Sequence, residues 1–69
     1  MKVVGGTLHL ISGREIDLPT EASVNAATEF WQSIPKGDDI PVTVQLTPTH
    51  EVVLVRSSIV AIERRAATG

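Results

Sequence analysis

Cysteine is absent from this chain of 69 residues, and aromatic side chains are nearly so, with one tryptophan, one phenylalanine and no tyrosine. The lack of cysteine excludes disulfides and thiolate metal sites. A domain this short buries only about 60% of the surface of its unfolded chain, so disulfides, a bound metal or oligomerisation usually add to its stability. We therefore expect residues 1–69 to form a single domain that assembles into a homo-oligomer.

Long apolar runs and a basic surface are also lacking. No apolar run approaches the ~18 residues of a membrane-spanning helix, and residues 1–6 lack the apolar core of a signal peptide. The formal net charge is −2, whereas surfaces that bind nucleic acid or anionic membranes carry a basic stripe. These absences predict a cytoplasmic protein that binds neither nucleic acid nor a membrane. Scarce lysine beside abundant valine, alanine and threonine is typical of a GC-rich coding background, such as an actinobacterium or its phages.

Residues 7–18 alternate between apolar and polar side chains in two short arms, which predicts a β-hairpin. The turn at residues 12–14 is expected to have an odd length, because an even loop would place Glu15 opposite Leu10 on the apolar face. The pairs of the predicted register are Leu10–Ile16, Leu8–Leu18 and, on the outer face, His9–Asp17.

A helix is predicted to follow this hairpin. Pro19 ends the second arm because it cannot donate to a ladder, and Thr20 is a suitable N-cap. Apolar residues then recur every three or four positions up to Pro35, so the helix should run from residue 21 to residue 33 or 34. Its predicted apolar stripe is Val24, Ala27, Phe30, Trp31 and Ile34. With Trp31 as the core anchor, Trp31→Ala should cost about 3–5 kcal/mol.

Residues 42–47 alternate cleanly after Pro41, and an even-length turn should join them to a second strand. In the expected register the inner pairs are Leu46–Val53 and Val44–Val55. Val52 and Leu54 then point outward. A sheet that packs one face on a helix is usually polar on its other face, so this patch indicates contact with a second chain, unless the C-terminal segment of the same chain covers it.

Two interpretations remain open for the segment that follows. Ser57 and Ser58 interrupt the apolar run, and residues 59–64 form either one helical turn or a bent strand; residues 66–69 are predicted to fray. The predicted fold is α+β, an antiparallel sheet of two hairpins with one helix on one face, in the order β-β-α-β-β with or without a short fifth strand. The predicted sheet residues of the core are Leu8, Leu10, Ile16, Leu18, Val44, Leu46, Val53, Val55 and Ile59.

The segment VLVRSSIVAI, residues 53–62, resembles the second signature of the Sm-like proteins. That signature is an apolar strand, an arginine followed by glycine, and two aliphatic residues three positions apart; here Ser57 stands in place of the glycine. Sm-like domains place their helix before the sheet and carry an Asp…Asn loop for RNA. This chain has neither feature, so RNA binding is not carried over. The resemblance implies edge-to-edge or ring-like assembly through residues 59–64.

Side chains with catalytic or metal-binding potential are few. His9 and Asp17 have the residue types of a catalytic dyad, but catalysis needs a third convergent group and a pocket, so we interpret them as an exposed cross-strand pair. Asp38 and Asp39 are adjacent carboxylates without the further oxygens of a calcium loop. The sequence therefore predicts no catalytic residue, no cofactor and no metal site.

Together these observations predict a small, non-enzymatic protein-interaction module that self-associates and also binds a larger protein, with an accessory or regulatory role in a phage or bacterium. The predicted interface consists of Val52, Leu54, Arg56, Ile59 and Arg64. The alternative is a nucleic-acid-binding accessory protein, against which the net negative charge counts. Its candidate arginines are Arg14, Arg56, Arg64 and Arg65.

Overall fold

The computed structural model describes residues 2–35 and 37–67 of the chain. Five strands and one helix confirm the predicted α+β class. The elements are β1 (Lys2–Leu10), β2 (Glu15–Leu18), α1 (Glu21–Ser33), β3 (Val42–Thr47), β4 (His50–Leu54), a 3-10 turn (Arg56–Ser58) and β5 (Ile59–Ala67). The strands divide into two antiparallel sheets, with the orders β2-β1-β5 and β3-β4.

The helix α1 begins and ends as the sequence predicts. The hydroxyl oxygen of Thr20 accepts a hydrogen bond from the Ser23 amide at 3.1 Å, which satisfies one of the free amides of the first turn. Ile34 closes the last turn, since its amide donates to the Phe30 carbonyl at 3.2 Å, and Pro35 follows. The helix packs mainly against β3 and β1, so it bridges the two sheets.

The loop between β1 and β2 has the predicted odd length, but it begins one residue earlier. Residues 11–13 form the loop: the Gly13 amide donates to the Leu10 carbonyl, and the Leu10 amide donates to the Arg14 carbonyl, each at 2.9 Å. Gly13 has a φ of +90°. A three-residue hairpin loop needs such a left-handed residue at its third position, and glycine adopts it without strain.

This loop shifts the β1–β2 register by two residues from the prediction. The observed pairs are Gly6–Leu18, Thr7–Asp17, Leu8–Ile16 and His9–Glu15. The predicted pairs Leu10–Ile16, Leu8–Leu18 and His9–Asp17 are therefore wrong. A shift of two residues preserves the alternation of faces, so Leu8 and Leu18 remain buried.

The register of β3 and β4 contains a β-bulge. Thr47 lies opposite His50, which leaves a two-residue turn, but Gln45 lies opposite Glu51. Leu46 is therefore an extra residue on β3. One extra residue reverses the phase of the pairing, so the opposite set of β4 side chains faces the core.

The predicted orientation of β4 is wrong because of this bulge. Leu54, predicted to face outward, is 7% exposed and belongs to the core, and Val52 is half-buried against it. Val53, predicted to be in the core, is 65% exposed. Val55 lies beyond the end of β4 and is half-buried.

Ser23 of α1 supports the bulge. Its side chain is fully buried, and it is the only buried polar side chain in the described part of the chain. Its hydroxyl donates a hydrogen bond to the carbonyl of Leu46. A bulge interrupts the ladder at its extra residue, and a buried carbonyl without a hydrogen bond is costly. The helix thus supplies the bond that the bulge of the second sheet requires.

Of the two structures left open for residues 59–64, the structure shows the strand, and a 3-10 turn precedes it. A 3-10 turn, Arg56–Ser58, comes first, and β5 then pairs with β1 over nine residues. Ala66 and Ala67 were predicted to fray, but they pair with Val3 and Lys2 at the start of β1. Residues 68–69 lie outside the described residues.

Gly5 and Gly6 lie inside β1 at a point of close approach. A β-carbon on Gly6 would overlap the Glu63 carbonyl and would lie 3.1 Å from the side chain of Val24 on α1. A β-carbon on Gly5 would lie 2.8 Å from the Leu18 carbonyl. The absence of side chains here allows the helix and both neighbouring strands to pack closely around β1.

The core draws its side chains from both sheets and from the helix. It consists of Leu8, Leu18, Val24, Ala27, Phe30, Val44, Leu46, Leu54 and Ile59. Leu10 and Ile16 are partly buried against it. Trp31 is 38% exposed, so the prediction that it anchors the core is wrong. The buried stripe of α1 consists of Ser23, Val24, Ala27 and Phe30, so it includes one polar residue.

Replacing Ser23 should lower stability because it leaves the Leu46 carbonyl buried without a donor. We expect Ser23→Ala to reduce the free energy of unfolding by about 1–3 kcal/mol, measured by urea denaturation. The matched control is Ser33→Ala at an exposed position of the same helix, where a change within about 0.5 kcal/mol is expected. Equal effects of the two substitutions would show that the Ser23 hydroxyl does not support the bulge.

The two neighbouring aromatic residues should differ in their contribution to stability. Phe30→Ala should cost about 3–5 kcal/mol, since it opens a cavity in the core. Trp31→Ala should cost only about 1–2 kcal/mol, since much of that side chain already contacts water. Thermal and urea unfolding of both variants would test this order, and a larger cost for Trp31→Ala would contradict it.

Candidate functional site

The five residues predicted as an interface do not share one surface. Leu54 and Ile59 are each 7% exposed and belong to the core, and Val52 is half-buried against it. Arg56 lies in the 3-10 turn, and Arg64 lies in the exposed part of β5. The structure thus leaves the two arginines accessible and places the three aliphatic residues in or against the core.

Arg56 and Trp31 form a single structural unit at the surface. The guanidinium carbon of Arg56 lies 4.6 Å from the centroid of the Trp31 ring. The Nε of Arg56 donates to the Trp31 carbonyl at 2.9 Å. A guanidinium within about 6 Å of an indole face is attracted by the negative potential of the ring. The two contacts fix the orientation of Arg56 against the exposed part of Trp31.

Two further exposed apolar residues lie beside the 3-10 turn that carries Arg56. The amide of Ile11 donates to the Ser58 carbonyl at 2.8 Å, so Ile11 lies beside the 3-10 turn. Val60 follows the turn by two residues and is the extra residue of a bulge in β5. The exposed fractions of Ile11 and Val60 are 75% and 62%.

Ile40 reaches the same end of the molecule from the loop after α1. Val42, two residues later, pairs with Leu54, and Arg56 follows Leu54 by two residues. The strand ends that carry Ile40 and Arg56 therefore leave the β3–β4 sheet side by side. Ile40 is 61% exposed.

We call the set of Ile11, Trp31, Ile40, Arg56 and Val60 the corner surface, because it surrounds the turn between the two sheets. It holds four of the six large hydrophobic residues that are exposed in the described part of the chain. The other two are Val53, on the far face of β4, and Val4, near the beginning of β1. Most of the exposed large hydrophobic residues therefore belong to segments that meet at the 3-10 turn.

Charges of both signs accompany the corner surface. Asp38 and Asp39 are exposed and immediately precede Ile40. Among residues 2–35 and 37–67, neither carboxylate lies within 4.0 Å of a basic side chain, and Arg56 lies within 4.0 Å of no carboxylate. The corner surface therefore offers one cation, Arg56, and the segment next to it offers two anions for contacts with another molecule.

The candidate dyad residues His9 and Asp17 are engaged in separate contacts on the outer face of the three-stranded sheet. His9 contacts Glu63 at 2.6 Å on one side and Glu15 at 3.7 Å on the other. Asp17 contacts Arg65 at 3.4 Å. These cross-strand contacts link β2, β1 and β5 to one another. Within the described ranges there is no cavity and no cluster of three metal-ligating side chains.

The four arginines considered for nucleic acid are dispersed. Arg14 is exposed beside the β1–β2 loop, whereas Arg56 is stacked on Trp31. Arg64 and Arg65 are consecutive on a strand, so their side chains point to opposite faces of the sheet. The structure does not bring them together into one stripe.

Comparison of the chain with protein-family models, curated proteins and solved structures finds no match. In the part of the chain that the structure describes, every helix is too short or too polar to span a bilayer. Sequence reasoning missed the corner surface because its residues come from separate segments. The only local signal was an isoleucine in each of two polar loops, Ile11 and Ile40.

The stacking of Arg56 on Trp31 should control ionic quenching of the protein's fluorescence, since Trp31 is the sole tryptophan. Two unit charges about 4 Å apart in water interact by about 1 kcal/mol, so Arg56 should attract iodide to the indole and repel caesium. We expect the ratio of iodide quenching to caesium quenching to be about two- to fivefold higher in the wild type than in Arg56→Gln. Arg64→Gln is the control that should keep the wild-type ratio. A ratio unchanged in Arg56→Gln would show that the stack does not persist in solution.

Proposed function

We propose that this protein is a non-enzymatic protein-interaction module that self-associates through the corner surface. The observation that carries the proposal is that four exposed apolar residues, among them the Trp31 of the fixed Trp31–Arg56 unit, belong to segments that meet at the 3-10 turn. Exposed apolar patches of this kind mark interaction sites. Tryptophan, tyrosine and arginine are enriched at the energetic centres of protein interfaces.

A second copy of the chain is the partner that the charges favour. Arg56 leaves the β3–β4 sheet beside the segment that carries Asp38, Asp39 and the exposed Ile40. A two-fold axis through such a surface would place the arginine of each copy near the carboxylates of the other, with the apolar residues between them. Burying Trp31 and its neighbours in this contact would add apolar burial to a domain too small to bury much on its own.

Three other expectations stay predictions. They are a larger protein partner, a cytoplasmic location, and an accessory or regulatory role in a phage or bacterium. The nucleic-acid alternative gains no support from the arrangement of the arginines, and gel retardation at low salt would test it directly.

A charge introduced at Ile11 should weaken the assembly without unfolding the chain. Ile11 is 75% exposed in a loop where aspartate is well tolerated. We expect the wild type to form a defined oligomer and Ile11→Asp to raise its dissociation constant by about tenfold or more, which corresponds to about 1.4 kcal/mol. Light scattering after size exclusion, across a dilution series, measures this change.

Val53→Asp is the matched control, because Val53 is 65% exposed but lies outside the corner surface. It should leave the molar mass unchanged at every concentration. Circular dichroism of both variants reports whether the fold is retained. A wild type that is monomeric throughout the series would overturn the proposal, as would equal weakening by the two substitutions.

A further inference from the structure

The strand β5 has one free edge. In the sheet order β2-β1-β5, only β1 borders it among the described strands. β2 pairs only with residues 6–9 of β1, so beyond Gly6 the β1–β5 ladder continues as a two-stranded ribbon. Residues 63–67 of this ribbon are all exposed. A two-stranded ribbon is only marginally stable in water by itself, and a further strand would stabilise it.

The direction of the backbone groups on β5 follows from the hydrogen bonds of β1. The amide and the carbonyl of Leu10 both form hydrogen bonds on the β2 side. The amide of the next residue, Ile11, donates to the Ser58 carbonyl on the β5 side. Successive residues of a strand alternate in this way. The backbone groups of His9, Thr7 and Gly5 therefore point towards β5. Their partners form the hydrogen bonds from β5 to β1; they are Ala61, Glu63 and Arg65. The amides and carbonyls of the residues between and after them point to the free edge; these are Ile62, Arg64 and Ala66.

The charges on β5 disfavour pairing with a second copy of itself. In a two-fold antiparallel pair, the residue on the axis lies opposite its own copy. The exposed stretch in the middle of the pairing segment is charged, with Glu63, Arg64 and Arg65 in succession. A two-fold axis at any of these residues would place like charges directly opposite each other, which is destabilising. An axis at Ile62 would bring the bulged Val60 into the paired segment and interrupt the ladder. Charges at these positions are a recognised means of preventing edge-to-edge self-association.

The same charges favour a different occupant. The guanidinium of Arg65 passes beside Gly5 of β1 and forms an ion pair with Asp17 at 3.4 Å. Arg64 has no carboxylate within 4.0 Å among the described residues. On its face of the sheet, Arg64 lies between Ile62 and Ala66, since side chains alternate along a strand. A strand that paired here would need an acidic residue opposite Arg64 and apolar residues two positions to either side.

We propose that the free edge of β5 binds an extended, acidic segment of another protein as a fourth strand of the β2-β1-β5 sheet. Backbone hydrogen bonds from Ile62, Arg64 and Ala66 hold the segment, and Arg64 selects a carboxylate in its middle. None of these three residues belongs to the corner surface, so the second site does not depend on self-association.

The test uses the full-length protein labelled with ¹⁵N and a synthetic peptide, acetyl-Thr-Val-Thr-Glu-Thr-Val-Thr-amide. In the free protein, the amides of Ile62, Arg64 and Ala66 should exchange with solvent much faster than those of Ala61 and Glu63. At saturating peptide, the exchange of the three edge amides should slow at least tenfold. A peptide with lysine in place of glutamate should bind at least tenfold more weakly.

Arg64→Glu should reverse the preference between the two peptides, whereas Arg14→Glu, at an exposed arginine away from β5, should preserve it. Ile11→Asp should leave peptide binding unchanged, so failure of the corner surface and failure of this edge site are distinguishable. The proposal is overturned if the edge amides do not respond to millimolar peptide, or if both peptides bind equally. It is also overturned if protection of these amides rises with protein concentration alone, because β5 would then pair with a second copy.

Discussion

The hydrogen bond from the Ser23 hydroxyl to the Leu46 carbonyl connects the helix to the one irregular residue of the second sheet. A bulge adds a residue to one strand, and its interrupted ladder leaves a backbone group that needs another partner. Ser23 provides that partner from a fully buried position, beside the N-cap Thr20, which its amide contacts at 3.1 Å. One residue therefore takes part in both the first turn of the helix and the bulge that reverses the phase of the β3–β4 pairing.

That phase determines which surfaces are left for function. With the bulge, Leu54 enters the core and Val53 faces solvent. The exposed apolar side chains then concentrate around the 3-10 turn, where Arg56 leaves the second sheet and stacks on Trp31. A candidate interface is thus found where the chain passes from one sheet to the other, and not on the face of either sheet.

The two surfaces we propose use charge in different ways. At the corner surface, Arg56 and the pair Asp38–Asp39 carry opposite signs at one end of the molecule, which suits contact between identical copies. On β5, Arg64 lies at the middle of a free edge, where a two-fold contact would oppose like charges, so the edge suits a different, acidic chain. Self-association and partner binding can therefore occur on the same small domain without competing for one site.

The sequence by itself determined the elements that depend on local chemistry: the Thr20 cap, the end of α1 before Pro35, the odd loop at Gly13 and the α+β order. Apolar periodicity and turn residues specify these within a few positions. Only the tertiary structure decided the bulge at Leu46, since an alternating strand such as Val42–Thr47 fits either phase and the deciding bond comes from a serine 23 residues away. The tertiary structure also decided that Trp31, unlike its neighbour Phe30, stays partly exposed at the surface that a partner can reach.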